Sequence, residues 1–394
     1  MGSTDMKTTG DSMRSRAIVA TGCLALLCAG AVQATDRAAF TAGEIRRILA
    51  HGPWPQPAAR DPSNRVSGNR AAIALGERLF FSPRLSGTGG VLCASCHEPW
   101  RALTDGRPRA LGLEFVDRNT QTLANVRLNR WFGWDGSNDS LWAQSIRPLL
   151  EPREMNSSAA RIGALMRSDP TLSGEFEKAF GTKPPGDDAA VLAAAGKALA
   201  AYEETLESGR TPFDDLRDAL ARGDIEAAAR YPAQARRGLK VFLGKGGCDS
   251  CHAGPGFADG AFHRAGVASL RRSGEPDTGR EDGIRKLLAN PFNLLGPYSD
   301  DPARSTAAGT REASSEVGTA GAFRTPGLRN VALTAPYMHD GSAATLCDAV
   351  RGHPVEEGRA ADLSAADRSD LVVFLATLTE NRPRPAAEPT ASCP

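Results

Sequence analysis

Gly89-Gly90-Val91-Leu92-Cys93-Ala94-Ser95-Cys96-His97 and Gly246-Gly247-Cys248-Asp249-Ser250-Cys251-His252 share one ending, Cys-x-x-Cys-His. Two cysteines one helical turn apart can each form a thioether to the same macrocycle. The adjacent histidine then reaches the central iron from the same turn. A zinc site would need four ligands, and a redox dithiol has no use for the histidine. Two intact copies therefore indicate two covalently attached haem c groups, one on Cys93 and Cys96, the other on Cys248 and Cys251. His97 and His252 are the proximal iron ligands.

The residues before each motif also repeat. Gly76-Glu77-Arg78-Leu79-Phe80 precedes the first and Gly238-Leu239-Lys240-Val241-Phe242 the second. In each half a short amphipathic helix ends in glycines and delivers the attachment site, an internal duplication. The chain is 394 residues long, enough for two separate cores. Aromatic residues make up only 6%, against 41 Gly and 26 Pro, which suits helices joined by long loops around large cofactors. The expected fold is mainly α, with two cytochrome c-like haem domains. Their expected bounds are 35–225 and 226–380, followed by a flexible tail over 381–394.

Between the motifs, Ala189–Glu207 is alanine-rich with Leu192, Leu199, Tyr202 and Leu206 near helical spacing. Asp224–Arg237 is expected to be one helix, residues 253–322 a long loop region, and Ala366–Thr379 a C-terminal helix. At the N-terminus, Arg14 and Arg16 precede an apolar run from Ala17 to Val32, and Val32-Gln33-Ala34 is a small-residue cleavage site. That run is short for a membrane span of ~20 residues. Residues 1–34 are accordingly expected to be a signal peptide, leaving a periplasmic chain that starts at Thr35 and has no membrane span. Of eight cysteines, Cys23 and Cys28 leave with the signal. Cys347 and Cys393 either pair in the oxidising compartment or remain a buried thiol and a tail thiol. The net charge of +1 gives no footing for nucleic acid.

No histidine lies between His97 and His252, so the first domain offers no imidazole opposite His97 downstream of its own motif. Met155 and Met166 are expected to be core. For the second haem, Ala335-Pro336-Tyr337-Met338-His339-Asp340-Gly341 presents Met338 as sixth ligand, with Tyr337 as the alternative. Were the first iron blocked, His51 or His263 would be the imidazoles to examine.

These residues carry a family resemblance. Arg118-Asn119-Thr120, Trp134-Asp135-Gly136, Gln144 through Glu154, and Phe323-Arg324-Thr325-Pro326 on to Asp340-Gly341 resemble the bacterial di-haem cytochrome c peroxidase and MauG family. The resemblance implies a peroxide-reacting N-terminal haem and a C-terminal electron-transfer haem, with Trp134 as relay between them. It places Gln144, Pro148 and Glu154 in the distal pocket. Glu154 can move the proton during peroxide cleavage, Gln144 can orient the oxygen, and Pro148 can cover the iron. It also implies a calcium ion bound in part by Asn119, with carbonyls near Thr319 and Gly321 as further oxygen ligands. The stretches Trp131-Phe132-Gly133-Trp134, Asn290-Pro291-Phe292 and Gly296-Pro297-Tyr298-Ser299-Asp300 look most like the MauG-type enzymes of methanobactin operons.

Three functions follow from that resemblance. In the first, hydrogen peroxide charges both haems with oxidising equivalents that are spent on a tryptophan of a periplasmic, copper-binding partner. In the second, the chain is a cytochrome c peroxidase fed by a small cytochrome c or cupredoxin. In the third, it only transfers electrons, against which Glu154 and Gln144 speak.

Overall fold

A computed structural model describes residues 40–267, 270–314, 316–353, 363–380 and Cys393. The signal segment and the tail, Cys393 excepted, lie outside these residues. The structure is mostly helical, in two lobes with separate cores. No helix among the described residues is long and apolar enough to cross a membrane.

The first core is built around the helix Asp188–Glu203. The Asp187 side chain caps it by accepting from the amides of Ala189 and Ala190. Its alanines leave it narrow on nearly every side, so it is buried almost all round. Helices Arg70–Phe80, Leu141–Leu150 and Ala159–Ser168 pack against it. The second core pairs helix Ala233–Leu243 with Ala365–Ala376, the latter started by a Ser364/Asp367 capping box.

The duplication has a packing cause. A Cβ on Gly76 would stand 1.9 Å from the Ala198 carbonyl oxygen, and one on Gly238 would stand 1.9 Å from that of Asp370. The same glycine in each repeat thus lets the motif-delivering helix touch its partner's backbone. Gly238→Ala is expected to lower stability by about 1–3 kcal/mol or more through overpacking. Gly174→Ala, in helix Pro170–Phe180 with open space around the position, should instead raise it by roughly 0.5–1 kcal/mol. Chemical denaturation of the two variants reads the opposite signs.

Several boundaries differ from expectation. Ile48, Phe213 and Leu216 belong to the second core, so that core takes over well before residue 225 and also recruits helix Ala42–Leu49 from the start of the chain. The helix expected over Asp224–Arg237 is two, Ile225–Ala229 and Ala233–Leu243. Pro232 stands at the break, where it lacks an amide hydrogen and restricts the residue before it. The 253–322 region is not all loop. It contains helices Arg280–Ala289 and Ala308–Ala313, and Phe262–His263 pairs antiparallel with Phe323–Arg324. Gly283 obscures the first of these helices in sequence, yet a Cβ there would lie 1.9 Å from the Asp135 carbonyl oxygen. Cys347 and Cys393 form a disulfide, which ties the end of the expected flexible tail to the second lobe.

Candidate active site

Both attachment motifs adopt the same local geometry. Cys93–Cys96 forms a single helical turn, and the His97 amide donates to the Cys93 carbonyl at 3.0 Å. The His252 amide donates to the Cys248 carbonyl at 2.9 Å. The Nδ1 of His97 lies 3.0 Å from the Leu103 carbonyl oxygen, and that of His252 lies 3.1 Å from the Phe257 carbonyl oxygen. Donation from Nδ1–H to these carbonyls leaves each Nε2 as the metal-facing nitrogen. Burial lowers the basicity of both rings, and with the charge of the nearby His353 it brings the His252 pKa down to about 4. Burial also pushes the Cys96 and Cys248 thiols up to about 12, the opposite of a reactive redox pair. Neutral imidazoles and reduced cysteines are the groups that covalent haem attachment uses.

The second site opens into a cavity of about 720 Å³ whose lining includes Cys251, His252, Trp134, Tyr337, Met338 and His353. The Tyr337 hydroxyl donates to the Val331 carbonyl at 3.0 Å. Met338 takes a left-handed backbone conformation at φ 73°. His339, its neighbour, is buried and stacked on Phe323 with ring centres 3.6 Å apart. His353 went unnoticed in the sequence, yet its ring centre lies 6.3 Å from that of His252.

At the first site, Glu154 is held by a two-pronged ion pair, its Oε1 and Oε2 at 2.8 and 3.0 Å from the Arg147 guanidinium. Its charge acts on Cys93, Cys96 and His97, which places it beside the first motif. Gln144 and Pro148 stand one turn apart on helix Leu141–Leu150, both half-buried. The Gln144 Oε1 accepts from Asn138 Nδ2 at 2.9 Å, and Asn138 Oδ1 accepts from Asn290 Nδ2 at 3.0 Å. That chain fixes the amide orientation and leaves the Gln144 NH₂ as donor. The parts played by Arg147 and Asn138 were missed, and Asn290 was noted only within the Asn290-Pro291-Phe292 stretch. Met155 and Met166 are core residues.

Trp134 lies where the lobes meet. Its Nε1 donates to the Asn119 carbonyl at 2.9 Å, and the Asn119 amide donates to the His339 carbonyl at 2.8 Å. Arg324 donates its amide to the Trp134 carbonyl at 2.8 Å. Beneath it, Arg118 bridges Asp135 and Asp277, each at 2.7 Å. Burial alone would raise the Asp277 carboxyl, but the Arg118 fork outweighs it and holds the group well below the usual carboxylate range.

Asn119 Nδ2 donates to the Arg107 carbonyl at 2.8 Å. Thr319 lines a different cavity, with Arg130 and Trp131, and Gly321 sits on the turn that pairs with Thr278. Asn119 lines the second haem cavity, which shares His263 and Arg264 with the cavity that Thr319 lines.

Of the six histidines, all but His97 belong to the second haem site or its lobe. His51 stacks on Phe257 with its Nδ1 at 3.0 Å from the Gly254 carbonyl oxygen, and His263 pairs with Asp259 at 2.6 Å. Neither therefore sits over the first site.

Comparison with known proteins agrees with this architecture. A sequence profile described as di-haem cytochrome c peroxidase matches residues 70–221. The methylamine utilization protein MauG of Methylorubrum extorquens is 33% identical over 363 residues, covering 89% of each chain. The cytochrome-c peroxidase IdrP2 of Denitromonas iodatirespirans is 32% identical, covering 79% of this chain and 83% of its own. Among solved structures, a MauG-like protein associated with microbial copper homeostasis superposes with a TM-score of 0.62 at 27% identity, over 84% of this chain and 96% of its own. The diheme peroxidase BthA from Burkholderia thailandensis gives 0.59 at 27% identity, over 84% and 92%. With two attachment sites of matching geometry and a relative of this identity over nearly the whole chain, the protein belongs to the di-haem cytochrome c peroxidase and MauG family of peroxide-acting oxidoreductases.

Proposed function

We propose that this is a periplasmic MauG-type oxidase, which uses hydrogen peroxide at the N-terminal haem to oxidise a tryptophan on a copper-binding partner protein. The observation that carries the reading is the placement of the histidines. His51, His263, His339 and His353 all lie in the second lobe, so no imidazole covers the iron on the side opposite His97. An iron open at rest suits an enzyme that reacts with peroxide first and meets its substrate afterwards. The similarity to a MauG-like protein of copper homeostasis supports the partner class.

Cys93, Cys96 and His97 would hold a haem whose iron would supply a peroxide-binding site and two electrons. The chain does the rest. Glu154 would take a proton from one peroxide oxygen and return it to the other, so that water leaves. Arg147 holds that carboxylate in place, and the Gln144 NH₂, oriented by Asn138, donates to the oxygen that accumulates charge. Pro148, one turn from Gln144, shields the site from water. Trp134 would relay electrons between the two sites; it lines the second cavity and is hydrogen-bonded to Asn119, which in turn bonds the His339 carbonyl. For the calcium implied by the family, the Asn119 side-chain oxygen would be one ligand.

The test is mass spectrometry of a copper-binding partner after incubation with the di-haem protein and peroxide. An oxygen-mass increment on a tryptophan-containing peptide is expected. An unmodified partner, together with brisk peroxide turnover on a reduced small cytochrome c, would instead assign the scavenging peroxidase role.

A further inference from the structure

We infer that His353 is the second axial ligand of the C-terminal haem, which is thus held by two imidazoles, with Met338 left as a cavity-lining residue. This rests on family membership and the haem at Cys248 and Cys251, and stands whether or not a partner tryptophan is the substrate.

The geometry is the first ground. Two imidazoles that share one metal through bonds of about 2 Å have ring centres roughly 6 Å apart. The rings of His252 and His353 lie 6.3 Å apart, and both line the second haem cavity. The rings are inclined at 68°, which two axial ligands tolerate because each binds along its own Nε2 direction.

The second ground is how the chain presents His353. Leu346, Ala349, Val350 and His353 all line that cavity, at the i, i+3, i+4, i+7 spacing of one helical face. Helix Leu346–Arg351 provides the face, and Gly352 ends it so that His353 follows directly. A Thr345/Asp348 capping box starts this helix, and the disulfide from Cys347 to Cys393 ties it down. Helix Ala365–Ala376 packs against it. The imidazole is therefore carried on a braced element, as a permanent axial ligand requires.

The third ground concerns the alternatives. The Tyr337 hydroxyl is engaged with the Val331 carbonyl, and the His339 ring is stacked flat on Phe323. Met338 sits on a tight turn at φ 73° between them, with both flanking side chains committed elsewhere.

A second imidazole favours ferric iron relative to a thioether, so the C-terminal haem should have a lower potential than a His–Met site. That suits a haem that shares oxidising equivalents, since a lower potential makes it easier to oxidise.

The experiment uses the intact di-haem protein, read by electron paramagnetic resonance and near-infrared magnetic circular dichroism of the ferric state. Wild type should show one low-spin haem without the charge-transfer band of thioether ligation, and Met338→Leu should leave that signal unchanged. His353→Met should introduce the thioether band and raise the potential of this haem alone. His353→Ala should convert the low-spin signal to high spin, with the first haem's signal as internal control for folding. A thioether band in wild type that Met338→Leu abolishes would overturn the inference, as would a low-spin signal that survives His353→Ala.

Discussion

Replacing Glu154 by Gln is expected to slow the reaction with hydrogen peroxide by about 10²–10⁴-fold, the usual worth of general acid–base assistance. The loss should fall on the chemical step, because glutamine keeps the shape and one carbonyl oxygen but cannot carry the proton between the two peroxide oxygens. Both haems should remain attached, since Glu154 takes no part in the thioether bonds and the Arg147 it releases is partly exposed to water. An exposed guanidinium loses little when its partner goes. Stopped-flow absorbance after mixing with peroxide reads the rate directly. Gln144→Leu should give a smaller defect, because it removes a hydrogen-bond donor and leaves the proton carrier. If Glu154→Gln reacts at the wild-type rate, the carboxylate serves only as the anchor of Arg147.

The two attachment sites were legible because covalent chemistry fixes both residue type and spacing, so Cys93 to His97 and Cys248 to His252 announce themselves. The paired glycines Gly76 and Gly238 were visible as a repeat, but their cause, backbone contact with Ala198 and Asp370, belongs to tertiary packing. The second core begins early because Ile48 and Phe213 are drawn to it from distant points of the chain, which no local pattern records. Helix Arg280–Ala289 was hidden by Gly283, which the close approach of Asp135 demands. His353 was passed over for a different reason. The Tyr337-Met338-His339 run is the more conspicuous ligand source, whereas the signal for His353 was its seven-residue spacing from Leu346, just past the end of a short helix. The support of the distal pocket was equally silent: Asn290 reaches Asn138, and Asn138 reaches Gln144, across 152 and 6 residues of sequence.

Trp134→Phe is expected to leave the rate of the peroxide reaction near wild type and to abolish sharing of its oxidising power between the haems. Trp134 bonds to both halves of the chain at this point. Its Nε1 donates to Asn119, its carbonyl accepts from Arg324, and its ring meets that of His339 edge-on at 6.5 Å. An indole can give up an electron and take it back. The Asn119 carbonyl, 2.9 Å from Nε1, would stabilise the positive charge left on the ring. Phenylalanine is far harder to oxidise and fills most of the same volume, so packing is kept while the relay is lost. The missing N–H leaves the Asn119 carbonyl one donor short, a cost of about 1–3 kcal/mol to stability that does not touch either haem. Rapid-freeze Mössbauer spectra after one equivalent of peroxide separate the two roles. In wild type the signals of both irons should shift, whereas in Trp134→Phe only the iron opposite Glu154 should. The partner's tryptophan should then be oxidised more slowly, because a single haem bears both equivalents and discharges them by side reactions. Identical spectra from the two proteins would reduce Trp134 to packing between the lobes, and the path for electrons would have to run through the Phe323–His339 stack instead.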